Sequence, residues 1–540
     1  MFLGHRSRVH IVKVIVVVAV FAMVVSSCGF GSSPKLPMKS LIVEVGSIPT
    51  NLNETLSAGS GSVATEIDSL ILPRAFYLDH GGNYVLDTRY VTSAEVVSVS
   101  PQIIVYKINT KTKWSDGQQL SALDFIYTWE AQRGGLPGPP QPYLSLLSGN
   151  NDYPNVSSVE SNSSGSAVTV RFARPNSSWR TLFNPVLPAR YLQANGFVAS
   201  MSLGQDLFPT VGDYTITSYQ SEEVLLKAVA GTPAAFSAID FVSDGTRPTV
   251  RASSPSIRVL GDPARLIANP IYLPGSVLYQ AVFNLNTTSL AFRRALAYAI
   301  DRPKLYESIV GNGPLGELKY YPPGNNLFVS SQLGYDNNQG GYSFGDIAKA
   351  ERSAFISGLS YSASGLLEPL GGNLRVDLVF DGSDPIASAI ANSVSTQLNY
   401  FGIAVTRNPV PNAALVTSRV SSGDFTLAIR DLSMVDLPGQ LVSDFVSGSM
   451  QPLNITGDFP GSLALIAQQA NQQLYPLASS KLYDDLDSYI WQDMAALPLM
   501  NPPIEVELSQ SLSPTELISA LEIISAPGFE STAPIVLRPN

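Results

Sequence analysis

The sequence predicts an α/β protein of more than one lobe. Strand-like segments such as 374–380 alternate with helix-like segments such as 386–398, the pattern of helices packed against a sheet. The chain has 540 residues, which at roughly 150 residues per domain is three or four domains' worth. Its hydrophobic content of 45% is ample for buried cores. Only 14% of residues are charged, against 41 Gly and 39 Pro, which describes a loop-rich surface of uncharged polar groups.

The chain opens on a targeting segment. Arg6, Arg8 and Lys13 precede and border an unbroken apolar run of twelve residues from Val14 to Val25. That is shorter than the roughly 20 residues a bilayer span needs and suits the core of a signal peptide. Val25-Ser26-Ser27-Cys28 follows. It resembles the bacterial lipobox, whose Cys becomes the acylated first residue after cleavage; an ordinary signal peptide with a chance Cys beyond its cleavage point is the plainer alternative. Cys28 is the one Cys of the chain. Residues 1–27 are read as signal peptide, and 28–37, small, polar and Pro-containing, as a tether. Losing 1–27 removes three basic residues and no acid, so a chain of net charge −10 becomes more acidic still.

The elements follow in order. A buried strand starts after Ser40, and a helix over 62–72 stops at Pro73. Residues 94–108 predict a hairpin turning at Ser100-Pro101, and 167–172 another strand. Between them 121–130 is a short helix capped by Ser121 and ended by Gly134-Gly135. Beyond about residue 205, TITSY and EVLLKAV are strand-like, and a Pro/Ser-rich passage covers 246–256. A strand over 278–285 leads to a helix over 289–300, where Phe292, Leu296 and Ile300 form one apolar stripe. The last apolar segments, 495–500 and 504–508, are again strand-like.

Composition narrows the chemistry. An acidic chain lacks the basic footprint of a nucleic-acid binder, and one Cys cannot form a disulfide within the chain. Removal of 1–27 takes His5 and His10, leaving only His80 in the turn-like Asp79-His80-Gly81-Gly82. Multi-His metal centres and Cys–His nucleophile pairs are thereby excluded, and the chain is read as a non-enzyme with no cofactor and no metal. Gly311-Asn312-Gly313-Pro314-Leu315-Gly316 follows a helical stretch, not a strand, so it is a turn and not a dinucleotide fingerprint. Residues 336–341 lack the Glu of a calcium loop, Ile347 standing in its place, and are expected to be a solvated turn. Asp484, Asp485 and Asp487 are expected on the solvated face of a helix. Trp114-Ser115-Asp116-Gly117 is a tight turn anchored by a buried Trp.

Four passages together resemble the family 5 extracellular solute-binding proteins, the peptide, dipeptide and nickel receptors of ABC importers. They are Lys113 with WSDGQQLSALDFIYTW, then PTVGDY at 209–214, then VFNLNTTSLAFRRALAYAIDRPKLYESIVG at 282–311, and lastly GDFTLAI at 423–429 with Leu497-Pro498-Leu499. The departures are Gln119 for a Pro, Leu123 for a polar residue, an altered Arg spacing at Arg293-Arg294, and no recognisable family passage over 231–251. The resemblance implies a two-lobed, periplasmic-binding-protein-like Venus-flytrap with an extra β-rich subdomain. Lobe I would comprise 38–75, 205–275 and 495–540, the subdomain 76–204, and lobe II 276–494, with hinge strands near 275 and 495.

It further implies a membrane-tethered, extracytoplasmic monomer, anchored by lipid on Cys28, that captures a solute, most readily an oligopeptide or dipeptide, and passes it to permease subunits. A carboxylate would hold the ligand's amino terminus, with Asp436 the first choice and Asp431 the second. Asn284 and Asn286, leaving a strand near the hinge, would offer amides to the cleft, and Gly61 and Ser62 backbone donors to an anionic group. Exposed loop acids and strand-end capping are the plainer readings of Asp431, Asp436, Asn284 and Asn286. A lipid-anchored sensor or scaffold without import, and a carboxylate-dependent hydrolase, stay open as alternatives.

Overall fold

A computed structural model describes residues 39–521 with the exception of 57–61, 79–82, 137–146, 148–151, 244, 251–253, 261–270, 274–276, 311–321, 329–331, 343–344, 371, 434–460, 503, 509–511, 514–515 and 518. Cys28, Gly61, His80, Asp436 and the glycine run at 311–316 therefore lie outside the described residues.

Strand β1 (Leu41–Val45) leads to helix α1 (Ser62–Ile71), then to the hairpin β2 (Phe76–Leu78) and β3 (Tyr84–Leu86). A four-stranded sheet follows, from β4 (Val91–Val99), β5 (Gln102–Ile108), β6 (Val156–Ser161) and β7 (Ala167–Phe172), accompanied by α2 (Ala122–Gln132) and α3 (Ala189–Asn195). Next come β8 (Tyr214–Gln220), β9 (Glu223–Ala228), β10 (Ala238–Ser243), β11 (Ser256–Leu260) and β12 (Ile271–Leu273). The remainder alternates: β13 (Val277–Phe283), α4 (Leu290–Ala299), α5 (Arg302–Val310), α6 (Ile347–Ile356), the hairpin β14 (Leu359–Tyr361) and β15 (Leu367–Pro369), β16 (Arg375–Asp381), α7 (Pro385–Tyr400), β17 (Ala404–Val410), α8 (Ala413–Ser422) and β18 (Leu427–Ser433). It closes with α9 (Gly461–Gln472), α10 (Pro476–Gln492), β19 (Ala496–Met500) and β20 (Ile504–Leu508).

Two large sheets result. One has seven strands in the order β12-β20-β11-β1-β10-β9-β8, the other five in the order β17-β16-β18-β13-β19. The period of two places Tyr279, Ala281 and Phe283 in a core on one face of the five-stranded sheet and Leu278 and Val282 in a second core on the other. The seven-stranded and four-stranded sheets instead share a single core, in which Val43 and Ile239 pack in one cluster with Ile104, Val168 and Trp179.

Local signals explain the boundaries. The side chains of Ser289, Asp384 and Asn412 accept backbone N–H groups at the starts of α4, α7 and α8. Gly423, at φ +74°, ends α8 in the left-handed conformation. The predicted stripe of α4 is buried, with Phe292 at 7% and Leu296 and Ile300 at 0% exposure. The hairpin turns at Ser100-Pro101 as expected. One expectation fails. Asp487 of α10 is fully buried, because it accepts Asn326 N and Nδ2 at 2.7 and 2.9 Å and Asn338 Nδ2 at 2.8 Å. The turn at 336–341 is exposed at Asp336, Asn337, Gly340 and Gly341, as expected, and is anchored through Asn338 to Asp484 and Asp487 of α10.

Candidate functional site

The chain passes between the two large sheets twice, each time within three residues: from β12 to β13 across 274–276, and from β19 to β20 across 501–503. The second passage falls later than the boundary expected near 495, since Ala496–Met500 pairs with β13 in the five-stranded sheet. Asn501 Nδ2 donates to the Val277 carbonyl at 3.0 Å and so staples the two passages together.

Strand directions then fix what faces the crossings. β1, β10 and β11 are parallel, and β20 begins beside the carboxyl end of β11. β16, β17 and β18 are parallel, and β13 begins beside the ends of β18 and β19. Both sheets therefore present the carboxyl ends of their parallel strands to the crossings. In open α/β sheets that edge, where the connecting loops cannot fill the crevice, is where ligands bind.

On the five-stranded side the edge carries Tyr279, Asp381, Asp384 and Asp431. Tyr279 Oη donates to Asp384 Oδ2 at 2.7 Å, and Asp431 stands opposite Tyr279 in the ladder. Burial, the bond to Asp384 and the charges of Asp384, Asp431 and Asp381 all hold the Tyr279 hydroxyl protonated far above its usual range. Asp431 is exposed. On the seven-stranded side the connection leaving β1 and the helix α1 hold Glu54, Glu66, Asp68 and Arg74. Arg74 pairs with Glu54, and Asp68 Oδ2 accepts the Glu54 N–H at 3.2 Å. Burial pushes the Glu66 carboxyl up to about 8 and holds the Asp68 carboxyl well above its ordinary value, with the Glu54 charge adding to the latter. The rim of the five-stranded sheet, with Asp381, Asp384 and Asp431, is thus acidic, which favours a ligand carrying positive charge, whereas the carboxyls around α1 are buried and, with Arg74 among them, form no negative surface. Among the described residues no group of three His, Cys, Asp or Glu is arranged to hold a metal ion, and no helix is long and apolar enough to cross a membrane.

Of the residues picked from sequence, Asp431 alone has its side chain described at this edge. Asn284 follows the carboxyl end of β13, and β13 runs against its neighbours, so Asn284 sits at the edge away from the crossings. Its Nδ2 donates to the Gly423 and Phe425 carbonyls at 3.0 and 2.9 Å and its Oδ1 accepts the Asn286 N–H at 3.0 Å. That is strand-end capping, and Asn286 beside it is exposed on the same far edge. Tyr279 and Asp384 were missed. The capping signature Ser383-Asp384-Pro385 was visible in the sequence, but nothing local announced that Tyr279 would reach it.

The recurring motifs turn out to be joints. Ser115 N donates to the Thr210 carbonyl at 2.8 Å and Thr210 N to Ser115 Oγ at 3.0 Å, so the Trp-Ser-Asp-Gly turn and the 209–214 passage lock together. Gly212 (φ +145°) lies so close to α1 that a Cβ would stand 2.8 Å from the Leu70 carbonyl oxygen. Asp124 accepts Ser121 N at 2.9 Å and Ala189 N at 3.1 Å. Arg302 is fully buried and donates to the carbonyls of Tyr342, Pro323 and Pro498 and to Gln339 Oε1 at 2.6–3.1 Å. Each of these contacts ties one part of the scaffold to another, so the motifs report joints of the fold.

Comparison with known proteins agrees. The sequence profile of the bacterial extracellular solute-binding proteins, family 5 Middle, matches residues 88–448. A protein of Mycobacterium tuberculosis named probable monoacyl phosphatidylinositol tetramannoside-binding protein LpqW is 28% identical over 207 residues, which is 36% of this chain and only 31% of that protein. The oligopeptide-binding protein OppA of Mycobacterium bovis is 23% identical over 514 residues, 86% of this chain and 80% of its own. Among solved structures, the periplasmic EDTA-binding protein EppA superposes with a TM-score of 0.69 at 21% identity, covering 87% of this chain and 92% of that one. The fold is that of the two-lobed periplasmic binding proteins. The ligands in the names of these three proteins differ widely.

Proposed function

The chain belongs to the bacterial extracellular solute-binding proteins, family 5, and from that premise we propose that it is the lipid-anchored receptor of an ABC importer. It captures an oligopeptide or dipeptide between its lobes and delivers it to membrane permease subunits. The observation that carries this reading is the pair of facing strand edges joined by two three-residue crossings, the geometry of hinged closure. The peptide assignment is supported by the match to OppA over 86% of this chain and by the acidic rim of the five-stranded sheet at Asp381, Asp384 and Asp431, which suits a ligand amino terminus.

In this reading the lobes are 38–75 with 205–275 and the segment from β20 onward, against 276–500, with 76–204 as the inserted subdomain. Cys28 carries the lipid, and the receptor works as an extracytoplasmic monomer. Asp436, three residues beyond β18, or Asp431 within it pairs with the ammonium group while strand-like hydrogen bonds hold the peptide backbone.

Native mass spectrometry of the purified protein should find a co-purifying peptide. Asp436→Asn should weaken its binding about ten-fold, the loss of a charge-assisted pair, whereas Asp431→Asn should do so only if the nearer acid is the partner. Calorimetry giving wild-type affinity for both variants would remove the carboxylate assignment. Purely apo mass, with no thermal shift across peptide, sugar and metal panels, would remove the importer reading.

A further inference from the structure

The lobes touch at a third place, distant in sequence from both crossings. Loop 176–179 of the β-rich insertion meets the turn between α9 and α10. Ser177 N donates to the Asn471 carbonyl at 2.8 Å, Ser177 Oγ lies 3.3 Å from Tyr483 Oη, and Trp179 Nε1 donates to the Leu474 carbonyl at 3.3 Å. Tyr483 Oη also donates to Asn471 Oδ1 at 2.6 Å. Leu474, 4% exposed, is buried in the core shared by the insertion and the seven-stranded sheet, although its helices belong with the five-stranded one.

The loop is built to hold this shape. Gln102 of β5, 1% exposed, accepts Asn176 N at 2.6 Å through Oε1 and donates Nε2 to the Asn176 carbonyl at 3.1 Å, and Asn176 Oδ1 accepts Ser178 N at 2.7 Å. Ser177 is thereby left pointing its donor at the other lobe. Because the insertion and the seven-stranded sheet are one core, they move together. Separating the lobes at the crossings must then break the Ser177, Trp179 and Tyr483 bonds and pull Leu474 into water.

We propose that loop 176–179 is a clasp, so that the β-rich insertion sets how readily the cleft opens. The proposal rests on the reading that the two lobes open and close around a ligand. A ligand then has to supply less of the closing free energy itself, since closed-state bonds are present without it.

Hydrogen exchange on the full-length, ligand-free protein tests this at the Ser177 amide, the bond that spans the clasp. Tyr483→Phe, which removes one bond across the clasp and the Asn471 bond beside it, and, separately, Trp179→Phe should each speed exchange there about five- to ten-fold, the loss of one net hydrogen bond across the clasp. The amides of Val105 and Tyr106 in β5 should keep wild-type rates, and the radius of gyration by small-angle scattering should rise. Trp179→Phe trims the insertion's core, so Tyr483→Phe is the cleaner variant. Unchanged Ser177 exchange in Tyr483→Phe, or acceleration matched by Val105 and Tyr106, would overturn the clasp. Calorimetry with trialanine keeps the two ideas apart: binding with an unresponsive Ser177 sinks the clasp and leaves capture standing. Faster Ser177 exchange and a larger radius with no binding support the clasp and count against the peptide reading.

Discussion

Two buried charged clusters, one per lobe, use similar residues to opposite effect. Around α5 and α10, Arg302 meets three carbonyls and a side-chain amide, and Asp487 meets two N–H groups of Asn326 and one of Asn338. Around α1, Glu54 and Asp68 share a single guanidinium, that of Arg74, and Asp68 Oδ1 and Arg74 Nε find no hydrogen-bond partner among the described residues. A buried charge whose donors and acceptors are matched is scaffold; one that is not costs free energy, which a protein retains at places that respond to ligand or pH. The matched cluster holds a family motif together. The unmatched one lies between the connection leaving β1 and the carboxyl-terminal half of α1.

Substitutions can break this contrast. The largest effect should come from Arg302→Met, which strands three buried carbonyls; a loss of about 3–5 kcal/mol in urea denaturation is expected. A loss under about 1 kcal/mol would show the two clusters to be equally poor. Asp487→Asn should cost about 1–3 kcal/mol, because the amide faces Asn326 and Asn338 N–H groups with a donor of its own. Glu66→Gln should be of opposite sign and visible only above about pH 4.5. Burial raises the Glu66 carboxyl to about 8, so the folded state keeps a proton that the unfolded chain releases above about 4.5. Stability therefore falls as pH rises from about 4.5 to 8, and no penalty remains below that window. The variant should match wild type at pH 4 and exceed it by up to about 4 kcal/mol at pH 8. Equal melting temperatures at both pH values would mean that Glu66 finds relief elsewhere.

Asn284 sharpens the same lesson about edges. As a cap, Asn284→Ala should lower stability by about 1–2 kcal/mol and leave peptide affinity unchanged. Lost binding at full stability would return it to the cleft.

Most of the elements were legible because their signals are local. The caps Ser289 and Ser121, the turn at Ser100-Pro101 and the stripe of Phe292, Leu296 and Ile300 each lie within a few residues of what they organise. The family was legible for the same reason, its motifs being short turns and caps that serve as joints. The site was less so. Asn284 looked well placed because it ends a strand near a crossing, yet the sequence does not state that β13 runs against its neighbours, and this alone sends Asn284 to the far edge. Asp487 looked solvated because its partners, Asn326 and Asn338, lie about 150 residues away in the chain.

By itself, then, the sequence determined the α/β class, the order of elements and the kinship with solute-binding proteins, all properties set by neighbouring residues or by composition. Only the tertiary structure decided which strand ends face one another, that Tyr279 joins Asp384 and Asp431 at one edge, and that Ser177 reaches Asn471 across the lobes. Those depend on strand direction and on pairings between distant segments, which no local pattern encodes.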